Sequence, residues 1–339
     1  MTEDLAERPS EQASESAKES EFFYLNRETG HVEWDRSKTD PITFVEIQNT
    51  FAEMFPLWAG RILITADNEK LASTAAQAAT GLATSVIMSP AEAGIEGKVS
   101  ANETPDGRTG VQIQIYNRNR FDLKNQLILR IGQCVMTCPT ASAFDAMPNA
   151  KRRLRVGRSL RLFGDGFQKK GLVGGRKVWK IPVMDGDFIV ENSFGATEAV
   201  AGGNFLILAK DGISGLKAAE EASKAIRVSV RGVIMPFPGG ICRSGSKAGS
   251  LKYKLVASTN HPYCPTIKAL VPDSHVPDGA SCVYEIVING LTVDAVKRAI
   301  GEGVKAAARV SGVVRISAGN YGGKLGPYRA FLREAVEAT

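Results

Sequence analysis

The run Cys282-Val283-Tyr284-Glu285-Ile286-Val287-Ile288-Asn289 places one carboxylate in the middle of an apolar, β-branched segment. Alternate residues of a strand share a face, so Glu285 stands with Val283 and Val287 while Tyr284 and Ile286 point the other way. Burial disfavours the ionised carboxyl and can lift a glutamate pKa to about 8–9 in extreme cases. A carboxyl held near neutrality is what general acid–base chemistry needs. A structural glutamate paired with a buried Lys or Arg would show the same pattern, and the strand alone leaves both readings open.

Other chemistries are thinly supplied. His31, His261 and His275 are the three histidines, so a Ser-His-Asp or Cys-His pair has few possible bases. Proton transfer therefore falls to a carboxylate. The five cysteines, Cys134, Cys138, Cys242, Cys264 and Cys282, form no CxxC. His261, Cys264, His275 and Cys282 match no usual zinc spacing, and the cysteines read as small buried hydrophobes. Among the glycine-rich turns, Gly240 and Gly245 have the phosphate-loop spacing, but Ser246 stands where a lysine is required. No GxGxxG follows a strand. Nucleotide binding is accordingly not expected, and most of these glycines read as turns.

The elements that must position Glu285 follow from periodicity. Arg61 to Ala66 reads as a strand, Asn68 as the cap of an Ala-rich helix ending before Gly81, and Thr84 to Met88 as a second strand. Gly110 to Tyr116 alternates with period two, Asp122 to about Val135 is an amphipathic helix, and a fourth strand is expected between Leu154 and Val183. The second half repeats this order. Asn204–Ala209 is a strand, Ser214–Ile226 a helix and Gly232–Met235 a strand. After a Gly/Pro/Ser-rich insertion come the Glu285 strand, a helix capped by Thr292 and a closing strand from Val313 to Ala318. Two split βαβ units predict an α+β protein with two ferredoxin-like lobes and inserted loops. The expected division is an acidic tail at 1–40, disordered or loosely docked, an N-terminal lobe at 41–190 and a C-terminal lobe at 191–339. Within the tail, Phe22 to Trp34 looks like the back half of a WW domain without its first tryptophan.

Composition bounds the function classes. Of 339 residues, 43% are hydrophobic and 23% charged, as in an ordinary globular protein. No apolar run approaches the roughly 18 residues of a membrane helix, and the acidic N-terminus resembles no secretory or transit signal. The cytoplasm is the expected location. The net charge of +6 is asymmetric: residues 1–40 carry 11 acidic and 5 basic side chains, leaving 37 basic and 25 acidic in the remainder. That basic body suits anionic ligands. A nucleic-acid-binding reading would need aromatics on the sheet beside the basic groups, whereas Phe and Tyr are scattered.

Several long segments carry a family resemblance. They include Thr84–Met88 with Pro90–Gly94, Ile131–Thr137, Pro139–Pro148, Phe163–Gly166 and Val178–Pro182. Further matches are Ala201–Phe205, Pro236–Gly240, Ala257–Asn260, Tyr263–Thr266, Val283–Leu291 and Ile316–Asn320 through Lys324. Over residues 44 to 328 the chain resembles the formylmethanofuran:tetrahydromethanopterin formyltransferases. The likeness is in particular to the bacterial form, the D subunit of the formyltransferase/hydrolase complex.

The resemblance implies formyl transfer between formyl-tetrahydromethanopterin and the primary amine of methanofuran, in one-carbon (formaldehyde) oxidation, through a ternary complex. The two coenzymes are then substrates, with no metal or nucleotide. The family's buried catalytic glutamate falls on Glu285, as general acid and base. Thr140, Ser142, Asn204, Ser258, Asn260 and Lys324 are polar residues of matching segments expected to bind substrate. Stand-alone relatives are homotetramers, so the chain is expected to be a homo-oligomer or a subunit of the hetero-oligomeric complex, without nucleic-acid or membrane partners. The alternative is a non-catalytic, cofactor-binding assembly subunit of that complex.

Overall fold

The computed structural model describes residues 22–33 and 44–339. Most of the expected acidic tail, residues 1–21 and 34–40, lies outside the described residues, as does Trp34. Phe22–Glu33 is a hairpin whose strands, β1 (Phe22–Asn26) and β2 (Val32–Glu33), join the edge of a 16-stranded mixed sheet.

Two units with one strand plan make up most of that sheet. The first runs β4 (Phe51–Thr65), α1 (Glu69–Thr80), β5 (Glu92–Val99), β6 (Gly110–Asn117), α2 (Arg120–Arg130) and β7 (Ser142–Asp145). Its strands lie antiparallel in the order β7-β4-β6-β5. The second runs β8 (Phe194–Ala209), α3 (Gly212–Ser229), the short strand Val233–Ile234, β9 (Cys282–Gly290), α4 (Val293–Ala308) and β10 (Val313–Ser317). Here the order is β10-β8-β9 and then Val233–Ile234, again antiparallel. The halves join where the first part of β8 pairs with β4, Thr197 opposite Ala59 through Ala201 opposite Phe55. β3 (Phe44–Gln48) lies parallel to β10 and antiparallel to β1. A short helix α5 (Leu332–Glu337) closes the chain against α4.

Each long helix begins where a side chain satisfies a free backbone N–H: Asn68, Asn119, Asp211 and Thr292 accept from Leu71, Asp122, Ser214 and Ala295. Small residues let the helices lie close on the sheet, as with Ala72, Ala75, Ala76 and Ala79 of α1. One core joins α3, α4 and α5 to β8, β9 and the N-terminal strands, and a second fills the first unit under α1 and α2.

Three expectations change. Thr84–Met88 is a turn and not a strand: Ser89 donates its N–H and its hydroxyl to the Ser85 carbonyl at 2.7 and 2.8 Å, a local alternative to ladder pairing. The helix expected from Asp122 to Val135 spans Arg120–Arg130 and then widens into a π-helical turn at Ile131–Val135. The first unit's fourth strand is Ser142–Asp145, earlier than expected. Residues 169–191 form instead an extra meander of Lys169–Val173, Arg176–Val183 and Gly186–Glu191. Gly174 and Gly175, both at positive φ, make its first tight turn.

Candidate active site

Glu285 is held by backbone on two sides. β9 pairs it with Leu206 of β8, and on the other flank Cys242 and Glu285 exchange N–H to carbonyl hydrogen bonds of 2.8 and 2.9 Å. Ile286 and Ile288 enter the core and Tyr284 packs against it. The opposite face carries Glu285 and Val287 into a cleft of about 490 Å³.

Both halves of the chain line that cleft. Gln48, Glu53 and Phe55 come from the first strands, Thr84, Ser85 and Ile87 from the turn after α1, and Glu92 from β5. Asn204 comes from β8, Lys247, Asn260, Tyr263 and His275 from the long insertion before β9, and Gly319–Tyr321 from the loop after β10. A side chain on a sheet strand, beneath loops from both units, is fixed in place yet reachable.

Electrostatics single out Glu285. It is half-buried at the cleft wall, and burial pushes its pKa up to about 7, with the Cys242 thiol pulling weakly the other way. Among the described residues it makes no ion pair, which sets aside the alternative of a glutamate neutralised by Arg or Lys. The field of Glu285 in turn helps raise the Cys242 and Tyr263 pKa values, after burial itself. Lys247, Asn260 and His275 line the same cleft, and their side-chain polar groups form no hydrogen bond within the described protein. The His275 ring packs edge-on to Tyr263 with centroids 5.1 Å apart.

Around this centre lies a polar frame that sequence reasoning missed. Glu92 is buried in β5, accepts from the Val86 N–H at 3.1 Å and from Asn289 Nδ2 at 2.6 Å, and burial raises its pKa. Asn289 in turn accepts from the Gly202 N–H at 3.1 Å. Glu53 accepts from the backbone N–H groups of Tyr321, Gly323, Leu325 and Gly326, so one carboxylate organises the loop that forms a cleft wall. Burial works to raise the Glu53 pKa, but these donors outweigh it and hold the group below the ordinary carboxylate value. Tyr263 donates to Ser317, whose hydroxyl donates to Gln48 at 2.5 Å. The signal available in the sequence was a carboxylate or amide interrupting apolar alternation, at Glu53 in β4 and Asn289 in β9.

Of the residues expected to meet substrate, Glu285, Asn204 and Asn260 share the cleft. Asn204 is already engaged: its amide donates to the carbonyls of Gly202 and Gly319 and accepts from the Gly319 N–H at 2.6 Å. Thr140 and Ser142 are not in the cleft. They belong to a cluster at the far end of β4, where Arg108 donates to the Thr140 carbonyl at 2.5 Å and to the Ser142 hydroxyl at 2.8 Å while pairing with Asp67 and Asp106. Ser258 sits in a small hairpin opposite Lys247, and Lys324 lies on the loop around Glu53; neither lines the cleft. Thr140 and Ser142 are thus engaged by Arg108 away from the cleft, a distinction a motif cannot make.

Known proteins resemble this chain over nearly all of the described body. The family model for formylmethanofuran-tetrahydromethanopterin formyltransferase matches residues 41–183, and that for its proximal lobe matches residues 186–335. The formylmethanofuran–tetrahydromethanopterin formyltransferase of Methanopyrus kandleri is 56% identical over 297 residues, 86% of this chain and 99% of its own. That of Methanocaldococcus jannaschii is 54% identical over 300 residues, 87% and 99%. The solved formyltransferase from Methanosarcina barkeri superposes with a TM-score of 0.83 at 49% identity, covering 86% of this chain and 98% of its own. A chain of the formyltransferase/hydrolase complex from Methylorubrum extorquens, solved with methylofuran, superposes with a TM-score of 0.82 at 42% identity, covering 86% and 97%.

Proposed function

The chain belongs to the formylmethanofuran-tetrahydromethanopterin formyltransferase family, and we propose that its cleft brings the two coenzymes together over Glu285, whose carboxyl moves the proton that formyl transfer requires. The enzyme moves a formyl group between formyl-tetrahydromethanopterin and methanofuran. The observation that carries the mechanism is a carboxyl in the shared cleft that forms no ion pair among the described residues, with a pKa lifted to about 7.

The reaction is an exchange of one C–N bond for another, with no change of oxidation state. The methanofuran amine attacks the formyl carbon, and the carbonyl oxygen takes the negative charge of a tetrahedral intermediate. The ionised Glu285 accepts the proton released by the attacking amine. Protonated Glu285 then returns it to the pterin nitrogen as that C–N bond breaks, leaving formylmethanofuran and the free pterin. The reverse direction uses the same proton in the opposite order. A pKa near the working pH lets one carboxyl serve as base and acid with little loss in either state. Holding both coenzymes in near-attack geometry supplies up to about 7–11 kcal/mol of the barrier. Asn260, His275 and Lys247 are the polar groups we assign to substrate contact, because their donors are not engaged elsewhere.

In the same reading the two strand-repeat units are ferredoxin-like lobes meeting near residue 190, with the cleft drawing on both. The protein works as an oligomer, as a homotetramer or within a formyltransferase/hydrolase assembly, and equilibrium sedimentation alone and with candidate subunits distinguishes these. For the chemistry, Glu285→Gln keeps shape and removes the titrating proton. Assayed with both coenzymes, it should lose about 10²- to 10⁴-fold in kcat. Full transfer activity in this variant would remove the acid–base assignment.

A further inference from the structure

The hairpin Phe22–Glu33 lies outside the residues the family models match. The family match begins at residue 41, and 86–87% of this chain covers 98–99% of the curated relatives. Yet the hairpin is built into the sheet. β1 pairs with β3 along five residues, from Phe22 opposite Gln48 to Asn26 opposite Phe44, and β2 folds back on β1. Phe23 and Leu25 are fully buried in the core that holds Val45, Ile47 and Ile316. Arg27 donates to the Val313 carbonyl at 2.6 Å. Arg315, paired with Glu46 at 3.0 Å, places its guanidinium 4.4 Å from the Phe22 ring centre.

Without this hairpin, β3 would be the last strand of a sheet reduced from 16 strands to 14, with a row of unpaired backbone groups and the apolar Val45 and Ile47 uncovered on one flank. An exposed edge of that kind is a template for a strand of another chain. Among the described residues, with the hairpin in place, the sheet instead ends on β2, only two residues long and finishing in Glu33, a short charged edge that offers little to pair with.

We propose that the hairpin Phe22–Glu33 is an in-chain plug, filling by strand addition the edge that β3 would otherwise present to a second copy of this chain. Assembly of this protein then proceeds through other surfaces. Its WW-like residues serve the body: Phe23 and Leu25 are enclosed by it and are not available to hold a separate peptide. The proposal stands independently of the catalytic reading.

Three proteins test it by sedimentation equilibrium and thermal melting: the full chain, a variant lacking residues 1–36, and the full-length double variant Phe23→Asp, Leu25→Asp. Both variants should melt earlier and form a species of about twice the parent's mass or more at concentrations where the parent shows none. Excess synthetic peptide spanning residues 20–36 should return the truncated protein to the parent's mass. If the truncated protein precipitates, redissolution by the peptide supports the plug and indifference to the peptide counts against it. Parental mass in both variants overturns the proposal.

Discussion

Glu285 combines two properties that conflict in an ordinary surface carboxylate: walls that disfavour its charge and an opening through which a substrate can reach it. Its pKa of about 7, against 4.5 for the free group, has consequences for stability as well as catalysis. A carboxyl whose pKa rises on folding favours the fold while protonated, so its contribution is intact below about 4.5 and is lost as pH climbs through 7. Glu285→Gln should therefore melt like the parent at pH 4–5 and above it at pH 8. The difference is at most about 3 kcal/mol, from some 1.4 kcal/mol per pKa unit. Paired melts across that range check the sign, and an equal shift at every pH would point to packing instead. In the parent, kcat should change with an inflection near pH 7 that the glutamine variant lacks.

At the scale of elements, the cleft walls are loops held by buried polar groups rather than by ladders. Glu53 is the clearest case, one carboxylate gathering four N–H groups from residues 321–326. Glutamine in its place offers one acceptor oxygen and turns an NH2 group toward donors. Glu53→Gln should cost about 1–3 kcal/mol in stability, the range for a buried group left unpaired. It should also raise KM more than it lowers kcat, because the loop forms a wall of the cleft and does not bear Glu285. Since the Glu53 pKa is depressed in the fold, its contribution is present above about pH 4.5 and fades below it, the reverse of Glu285. Helix contacts are equally unforgiving. A Cβ on Gly301 of α4 would stand 2.1 Å from the Ala335 carbonyl oxygen of α5. Gly301→Ala should thus destabilise by about 1–3 kcal/mol as the helices are forced apart. A denaturant melt checks this, and a neutral result would mean that α5 is free to move.

Across the whole molecule, 37 basic and 25 acidic side chains lie beyond residue 40, a net positive charge that would attract coenzymes bearing negative groups. KM for both substrates should accordingly rise several-fold between about 0.05 and 0.5 M salt, as the Debye length falls from roughly 13 to 4 Å, while kcat changes little. Steady-state kinetics at fixed pH distinguishes this from a salt effect on the proton carrier. Arg108, Arg61 and Arg153, by contrast, are tied to Asp67, Glu96 and Asp145 and take no part in that attraction.

Alternation along CVYEIVIN and the caps at Asn68 and Thr292 were enough to place Glu285 on a strand beside a helix, because those signals depend on residues a few positions apart. Repetition of the strand order was legible for the same reason. The turn at Thr84–Met88 was not: its β-branched residues favour a strand, and only Glu92, drawing the Val86 N–H, and the Ser85–Ser89 pairing decide against one. Nor could spacing separate Asn260, in the cleft, from Thr140 and Ser142, bound to Arg108 at the far end of β4. A residue's type and its neighbours in the chain set what chemistry it can do. Whether it meets a substrate depends on contacts across more than a hundred residues, such as Asn204 with Gly319 or Glu92 with Asn289, which exist only once the sheet has closed.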